Sequence, residues 1–215
     1  MAELPHSNHH RLIAALAVAL AIAGAGPGPV AAAAAVVQPA AAGVVQPAAA
    51  GVASVAFGPW SFRAPKGPAG FGDWMPALVP GCVHTDLLRD GKIPDPFYGA
   101  NEKALQWIEK TEWEYRSTFV ADAALLRRER IEIVFQGLDT YAEVSVNGVR
   151  VLSADNMFRS WRAEIKAHLA GGTNLVVVRF HSPIAVAKPI YDRLGYTLPA
   201  ANDQAPEMVS MFTRK

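Results

Sequence analysis

The stretch from Arg130 to Ser153, RIEIVFQGLDTYAEVSVNGVRVLS, constrains the fold more than any other part of the chain. Ile131, Ile133 and Phe135 alternate with Glu132 and Val134, the period of two that a half-buried strand requires. Tyr141 to Val146 forms a second run, with Ala142, Val144 and Val146 on one face. Asn147-Gly148 closes it, and Val149 to Leu152 returns as the partner. Asn-Gly between β-prone runs signals a hairpin, because a type I′ turn needs positive φ at both central residues. On its own the stretch predicts a hairpin in an all-β domain and no particular function.

Short runs of the same kind flank it. Trp60 to Arg63 reads as a first strand, broken by the prolines and glycines of Pro65 to Gly72. Glu112 to Val120 alternates, with Trp113, Tyr115 and Phe119 inward and Glu114, Arg116 and Thr118 outward. Trp161 to Ile165 is a further strand, and Leu175 to His181 is apolar enough to be central. Val83 to Asp90 predicts two helical turns stopped by Gly91. Ile184 to Gly195 has room for one more turn, and Met208 to Thr213 reads as extended. Many short strands with Gly, Pro and Asn turns predict an all-β jelly-roll sandwich with one short helix.

The N-terminal part is not expected to belong to that core. Leu12 to Ala25 is a continuous apolar run after Arg11, too short to span a bilayer and suited to the h-region of a secretory signal. A disordered or helical leader is therefore expected over 1–35, with cleavage near 25 or 35. VVQPAAAG then occurs twice in tandem, a low-complexity spacer over 36–55. The sandwich domain is assigned to 56–215. After cleavage no membrane contact is expected.

Charge and composition narrow the function classes. With 20 basic against 19 acidic residues, nothing suggests a nucleic-acid partner. Cys82 is the single cysteine, which excludes an intrachain disulfide and a cysteine-rich zinc site. No cofactor and no metal site is expected. His84 sits alone in its helix and reads as a packed or capping histidine before a catalytic one. The proline-rich loop from Ile93 to Glu102 presents Phe97, Tyr98 and Asn101. Its two rings either rim a sugar pocket, by stacking on pyranose faces, or plug the end of the sandwich. Glu102, Glu109, Glu112, Asp139, Asp155, Asp192, Asp203 and Glu207 form no motif that pairs an acid with a base, so no catalytic residue is assigned.

FQGLDTYAEVSVNG, followed by Gly172-Thr173-Asn174-Leu175-Val176-Val177-Val178, resembles the N-terminal sugar-binding, galactose-binding-like domain of glycoside hydrolase family 2. Val79 to Phe119, Ala154 to Arg162 and Ser182 to Lys215 resemble its β-mannosidase branch in particular, and the resemblance runs from Trp60 to Lys215 almost without a gap. It implies a secreted, periplasmic or, in a eukaryote, lysosomal exo-hydrolase that releases terminal β-D-mannose from β-mannoside oligosaccharides. Such chemistry is retaining and uses two carboxylates roughly 5–5.5 Å apart. The family carries both on a (β/α)8 barrel of ~250 residues. The resemblance therefore implies a domain truncated at its C-terminal end, severed from its barrel, and inactive alone. A stand-alone carbohydrate-binding module, or a piece of another family 2 exo-enzyme such as a glucosaminidase or galactosidase, are the alternatives.

Overall fold

The computed structural model describes residues 17–23 and 54–196. Strands β1 (Ala17–Ala23), β2 (Trp60–Arg63), β3 (Met75–Ala77), β4 (Trp113–Ala121) and β5 (Arg130–Gly137) come first. They are followed by β6 (Ala142–Val146), β7 (Val149–Ala154), β8 (Trp161–Glu164) and β9 (Gly172–Phe180). All pair antiparallel, in a six-stranded sheet of order β3-β2-β4-β9-β6-β7 and a three-stranded sheet β1-β5-β8. The chain changes sheet on entering and leaving β5 and again around β8, so neighbours in sequence end up facing each other. Apolar side chains from both sheets meet in one core, which makes the sandwich that the alternating pattern predicts.

Alternation explains most of the packing. Ala142, Val144 and Val146 of β6 are buried, as are Ile131, Ile133 and Phe135 of β5 in the other sheet. Phe62 on β2 is fully buried and stacks on Tyr115 with ring centroids 5.6 Å apart, while Trp113 lies 5.8 Å away. β9 takes the centre of its sheet between β4 and β6, as its apolar sequence predicts. Asn147 and Gly148 have φ of 50° and 84°, so the hairpin turn has the expected handedness. Asn147 does more than turn the chain. Its Nδ2 donates to His168 O and Asn174 Oδ1, and its Oδ1 accepts from Leu175 N–H, which ties the turn to the start of β9.

Two expectations need correction. Four α-helices rather than one occur among the described residues: α1 (Val83–Arg89), α2 (Asn101–Ala104), α3 (Ala123–Leu126) and α4 (Pro183–Leu194). The longest, α4, has local causes. Ser182 Oγ accepts from Ala185 N–H, Pro183 opens the first turn, and Gly195 ends it at φ 68°. The second correction concerns the leader, expected to be disordered or helical. Its residues Ala17–Ala23 form a strand that pairs with β5. An apolar segment without proline or charge can complete the backbone ladder along one edge of β5. The spacer up to residue 53 and the extended segment expected at Met208 to Thr213 lie outside the described residues.

Phe62→Ala opens a void beneath two aromatic rings and is expected to cost about 3–5 kcal/mol. Urea denaturation followed by tryptophan fluorescence measures it. Thr118→Ala, at an exposed position on the neighbouring strand, is expected to change stability by less than about 0.5 kcal/mol.

Candidate functional site

The loop between α1 and α2 is held by its ends and by one aspartate. Ile93, Leu105 and Ile108 are buried and anchor the segment in the core. Asp95 Oδ1 accepts from Phe97 N–H at 2.9 Å, and its carbonyl accepts from Tyr98 N–H and from Asn101 Nδ2. Phe97 and Tyr98 are thereby fixed in the open, each 77% exposed. They do not plug the end of the sandwich. Asn101 opens α2, and its amide braces the loop rather than pointing to a ligand. The structure therefore brings the three expected rim residues together on one ordered loop, with two rings presented and one amide engaged as a brace.

The acidic residues meet partners of structural kind. Glu112 Oε1 lies 3.0 Å from His181 Nδ1. Asp192 pairs with Lys188 one helical turn away at 2.8 Å. Asp139 accepts from the Thr140 hydroxyl. Asp155 is exposed and Glu102 sits in the first turn of α2. The Glu109 carbonyl receives the Ser182 hydroxyl at 2.7 Å. Asp203 and Glu207 lie outside the described residues. No group of three histidines, cysteines or acids is placed to hold a metal ion among the described residues.

Sequence reasoning misses the acid that the sheet is built around. The alternation of β4 turns Glu114 toward water, yet it is 4% exposed. Arg63 reaches its Oε2 at 2.8 Å and Arg179 its Oε1 at 2.7 Å, one guanidinium to each oxygen. Burial alone would raise this carboxyl. The hydrogen bonds from Arg179 and Arg63 overcome that and hold it below the ordinary value of 4.5. The strand registers set Arg63, Glu114, Arg179 and Glu143 in one row across β2, β4, β9 and β6. Trp74 lies against this row, with the Arg63 guanidinium 4.4 Å and that of Arg116 4.0 Å from its ring centroid. The pattern of β4 carries no sign of this, because the two arginines come from strands 51 and 65 residues away.

A second buried acid is missed in the same way. Asp86 of α1 is fully buried and accepts from Leu78 N–H at 2.9 Å, from Arg89 at 2.8 Å and from the Tyr115 hydroxyl at 3.4 Å. Burial dominates here and raises its carboxyl in spite of those donors. Burial also pushes the Tyr115 phenol up, and the Asp86 charge adds to it. Asp86 thus locks α1 to the chain just after β3 and to β4. His84, two residues before it, is half-buried, and burial lowers its pKa from 6.5. Packing is the reading this supports.

Comparison with known proteins places this geometry. Residues 60–215 match the family model described as the glycosyl hydrolase 2 galactose-binding domain-like family. The chain is 40% identical over 124 residues to beta-mannosidase B of Thermothelomyces thermophilus, and 36% identical over 119 residues to a beta-mannosidase of Capra hircus. Those matches cover 57% and 55% of this chain but 14% and 13% of the relatives, so the chain spans a small part of their length. The crystal structure of a beta-D-mannosidase from Dictyoglomus thermophilum superposes with a TM-score of 0.62 at 38% identity, covering 68% of this chain and 18% of that one.

Replacing Glu114 tests the row. Glu114→Gln removes the charge that two guanidinium groups are bonded to and is expected to cost about 1–3 kcal/mol at neutral pH. The folded pKa of Glu114 is depressed, so its stabilisation is complete above 4.5 and is lost as pH falls through the folded value. The wild-type melting temperature should therefore drop more steeply below pH 4.5 than that of the variant, as differential scanning calorimetry across pH would record.

Proposed function

This chain belongs to the glycosyl hydrolase 2 galactose-binding domain-like family, and from that premise we propose that it is the N-terminal domain of a β-mannosidase. The enzyme it serves releases terminal β-D-mannose from β-mannoside oligosaccharides with retention. The observation that carries this reading is the identity of 36% and 40% to two beta-mannosidases over more than half of the chain. Retaining hydrolysis needs an acid and a nucleophile roughly 5–5.5 Å apart and free to react. The buried acids described here are committed instead to arginines and backbone donors. In this reading the domain's partner is a catalytic barrel that supplies both carboxylates.

The domain contributes a rigid support and one wall. Asp95 and Asn101 hold the loop, and α1 is locked to the sheet by Asp86, so Phe97 and Tyr98 stand at a fixed height above the sandwich. Exposed flat rings on an ordered loop suit stacking against a pyranose face at the rim of the sugar site. The composition of residues 1–35 fits export of the enzyme to the periplasm or the exterior.

Two measurements test the proposal. The pure chain of 215 residues is expected to release no nitrophenol from 4-nitrophenyl β-D-mannopyranoside, whereas the chain joined to the catalytic part of a related beta-mannosidase is expected to release it. Activity of the 215-residue chain itself would refute the assignment. In the active enzyme, Phe97→Ala and Tyr98→Ala should each raise KM for mannan-derived oligosaccharides about fivefold with little change in melting temperature, because one stacking contact is worth about 1 kcal/mol and both sites are exposed. Unchanged KM in both variants would remove the loop from the rim.

A further inference from the structure

A second aromatic loop stands at the end of the sandwich where β7 passes to β8. The registers level Trp113 of β4 with Phe180 of β9, Phe180 with Ala142 of β6, and Ala142 with Ala154 of β7. The start of β4, the end of β9, the start of β6 and the end of β7 therefore share one end of the domain. Residues 155–160 continue from Ala154 at that end and reach Trp161, which pairs with Phe135 of β5. The segment that carries Phe97 and Tyr98 enters β4 at the same end. There the Trp113 indole N–H donates to Ile108 O and the Ser182 hydroxyl to Glu109 O.

The same device holds both loops. A side-chain oxygen accepts from the N–H of a phenylalanine two residues on, Asp95 for Phe97 and Asn156 for Phe158. Phe158 is 82% exposed, further into water than Phe97 or Tyr98. Beside it the Arg159 guanidinium lies 4.3 Å from the Trp161 ring centroid, and no acid among the described residues pairs with it. The second loop is less suited to a sugar than the first. The Phe158 ring has no polar tip, and Trp161 spends its indole N–H on Asn156 O at 2.9 Å. A guanidinium finds no charge to meet on a neutral mannoside, whereas on a protein surface it meets a carboxylate. Phe, Trp and Arg side by side are the anchor types of protein interfaces.

We propose that Phe158 and Arg159 form a docking point for the catalytic part of the β-mannosidase that this domain is read as serving, a proposal that rests on that reading. The ring enters an apolar pocket of the catalytic part, and the guanidinium meets a carboxylate at the pocket's edge. A part that closes the sugar site over the Phe97–Tyr98 loop has to reach this end of the sandwich, where the second loop also stands. The first loop then faces sugar and the second faces protein.

Hydrogen exchange tests this on two proteins: the 215-residue chain, and the active enzyme made by joining it to the catalytic part of a related beta-mannosidase. The amides of residues 156–160 are expected to exchange at least about tenfold more slowly in the joined enzyme. Those of β4, bonded on both sides by β2 and β9, serve as the internal control and should not differ. Phe158→Ala and Arg159→Glu should each return the loop to the rate of the 215-residue chain, whereas Phe158→Leu, which keeps an apolar knob, should retain most of the protection. In the 215-residue chain itself Phe158→Ala should leave the melting temperature unchanged, because the ring is exposed there. Equal exchange of 156–160 in the two proteins, with the joined enzyme active, would overturn the docking point and leave the β-mannosidase reading standing. A raised KM for mannan-derived oligosaccharides on Phe158→Ala, with exchange unaltered, would overturn it by assigning the ring to sugar. Protection that grows with the concentration of the 215-residue chain alone would overturn it in favour of a second copy. A joined chain that folds but releases no mannose would remove the reading and the docking point together.

Discussion

Everything in this molecule depends on the closure of two sheets over the aromatic layer of β2 and β4. Phe62, Trp113 and Tyr115 supply one side, and Ile131, Ile133 and Phe135 of β5 supply the other. Apolar burial of this kind is the main favourable contribution to folding, and rings of this size dominate it. Once the layer is closed, the surrounding loops have fixed ends. Trp113 Nε1 donates to Ile108 O, so the segment carrying the exposed aromatic loop is bonded to the core from below. The presentation of Phe97 and Tyr98 is thus a consequence of how the core is packed.

Charge refines what burial establishes. Glu114 sits on the outer side of β4, where a lone buried carboxylate would be costly. Two guanidinium groups from neighbouring strands, themselves partly open to water, satisfy both of its oxygens. Such a pair of contacts fixes the register of β2 and β9 against β4 as much as it stabilises them. Asp86 plays the matching part elsewhere in the domain, where it joins α1 to Leu78, just past β3, and to the Tyr115 hydroxyl. The two acids are shifted in opposite directions, one held low by its cations and the other pushed up by burial. Both are consumed by the fold.

What can be read from the sequence is whatever depends on near neighbours. Alternation marks β4, β5 and β6, an apolar run marks β9, and Asn147-Gly148 marks the turn, because strand period and φ preference are local properties. The family resemblance at Val79–Phe119 locates the aromatic loop. Features set by distant residues are not legible in this way. The burial of Glu114 needs Arg63 and Arg179, and buried Glu132 is met by Arg130 and by Arg162 of β8. The full length of α4 is hidden because Pro189 lies within it and proline usually ends a helix. The composition of the leader suits an h-region and an edge strand equally well, so its pairing with β5 emerges only in three dimensions.

In the proposed enzyme this domain gives shape and one wall of the sugar site, while the reacting groups come from elsewhere. In that proposal the two exposed rings cover only one side of a monosaccharide, too little buried surface for a stable complex. Isothermal titration calorimetry of the 215-residue chain with mannobiose measures this most directly. The account predicts no saturable heat at millimolar sugar, and saturable one-site binding would contradict it, marking the sandwich as a carbohydrate-binding module in its own right.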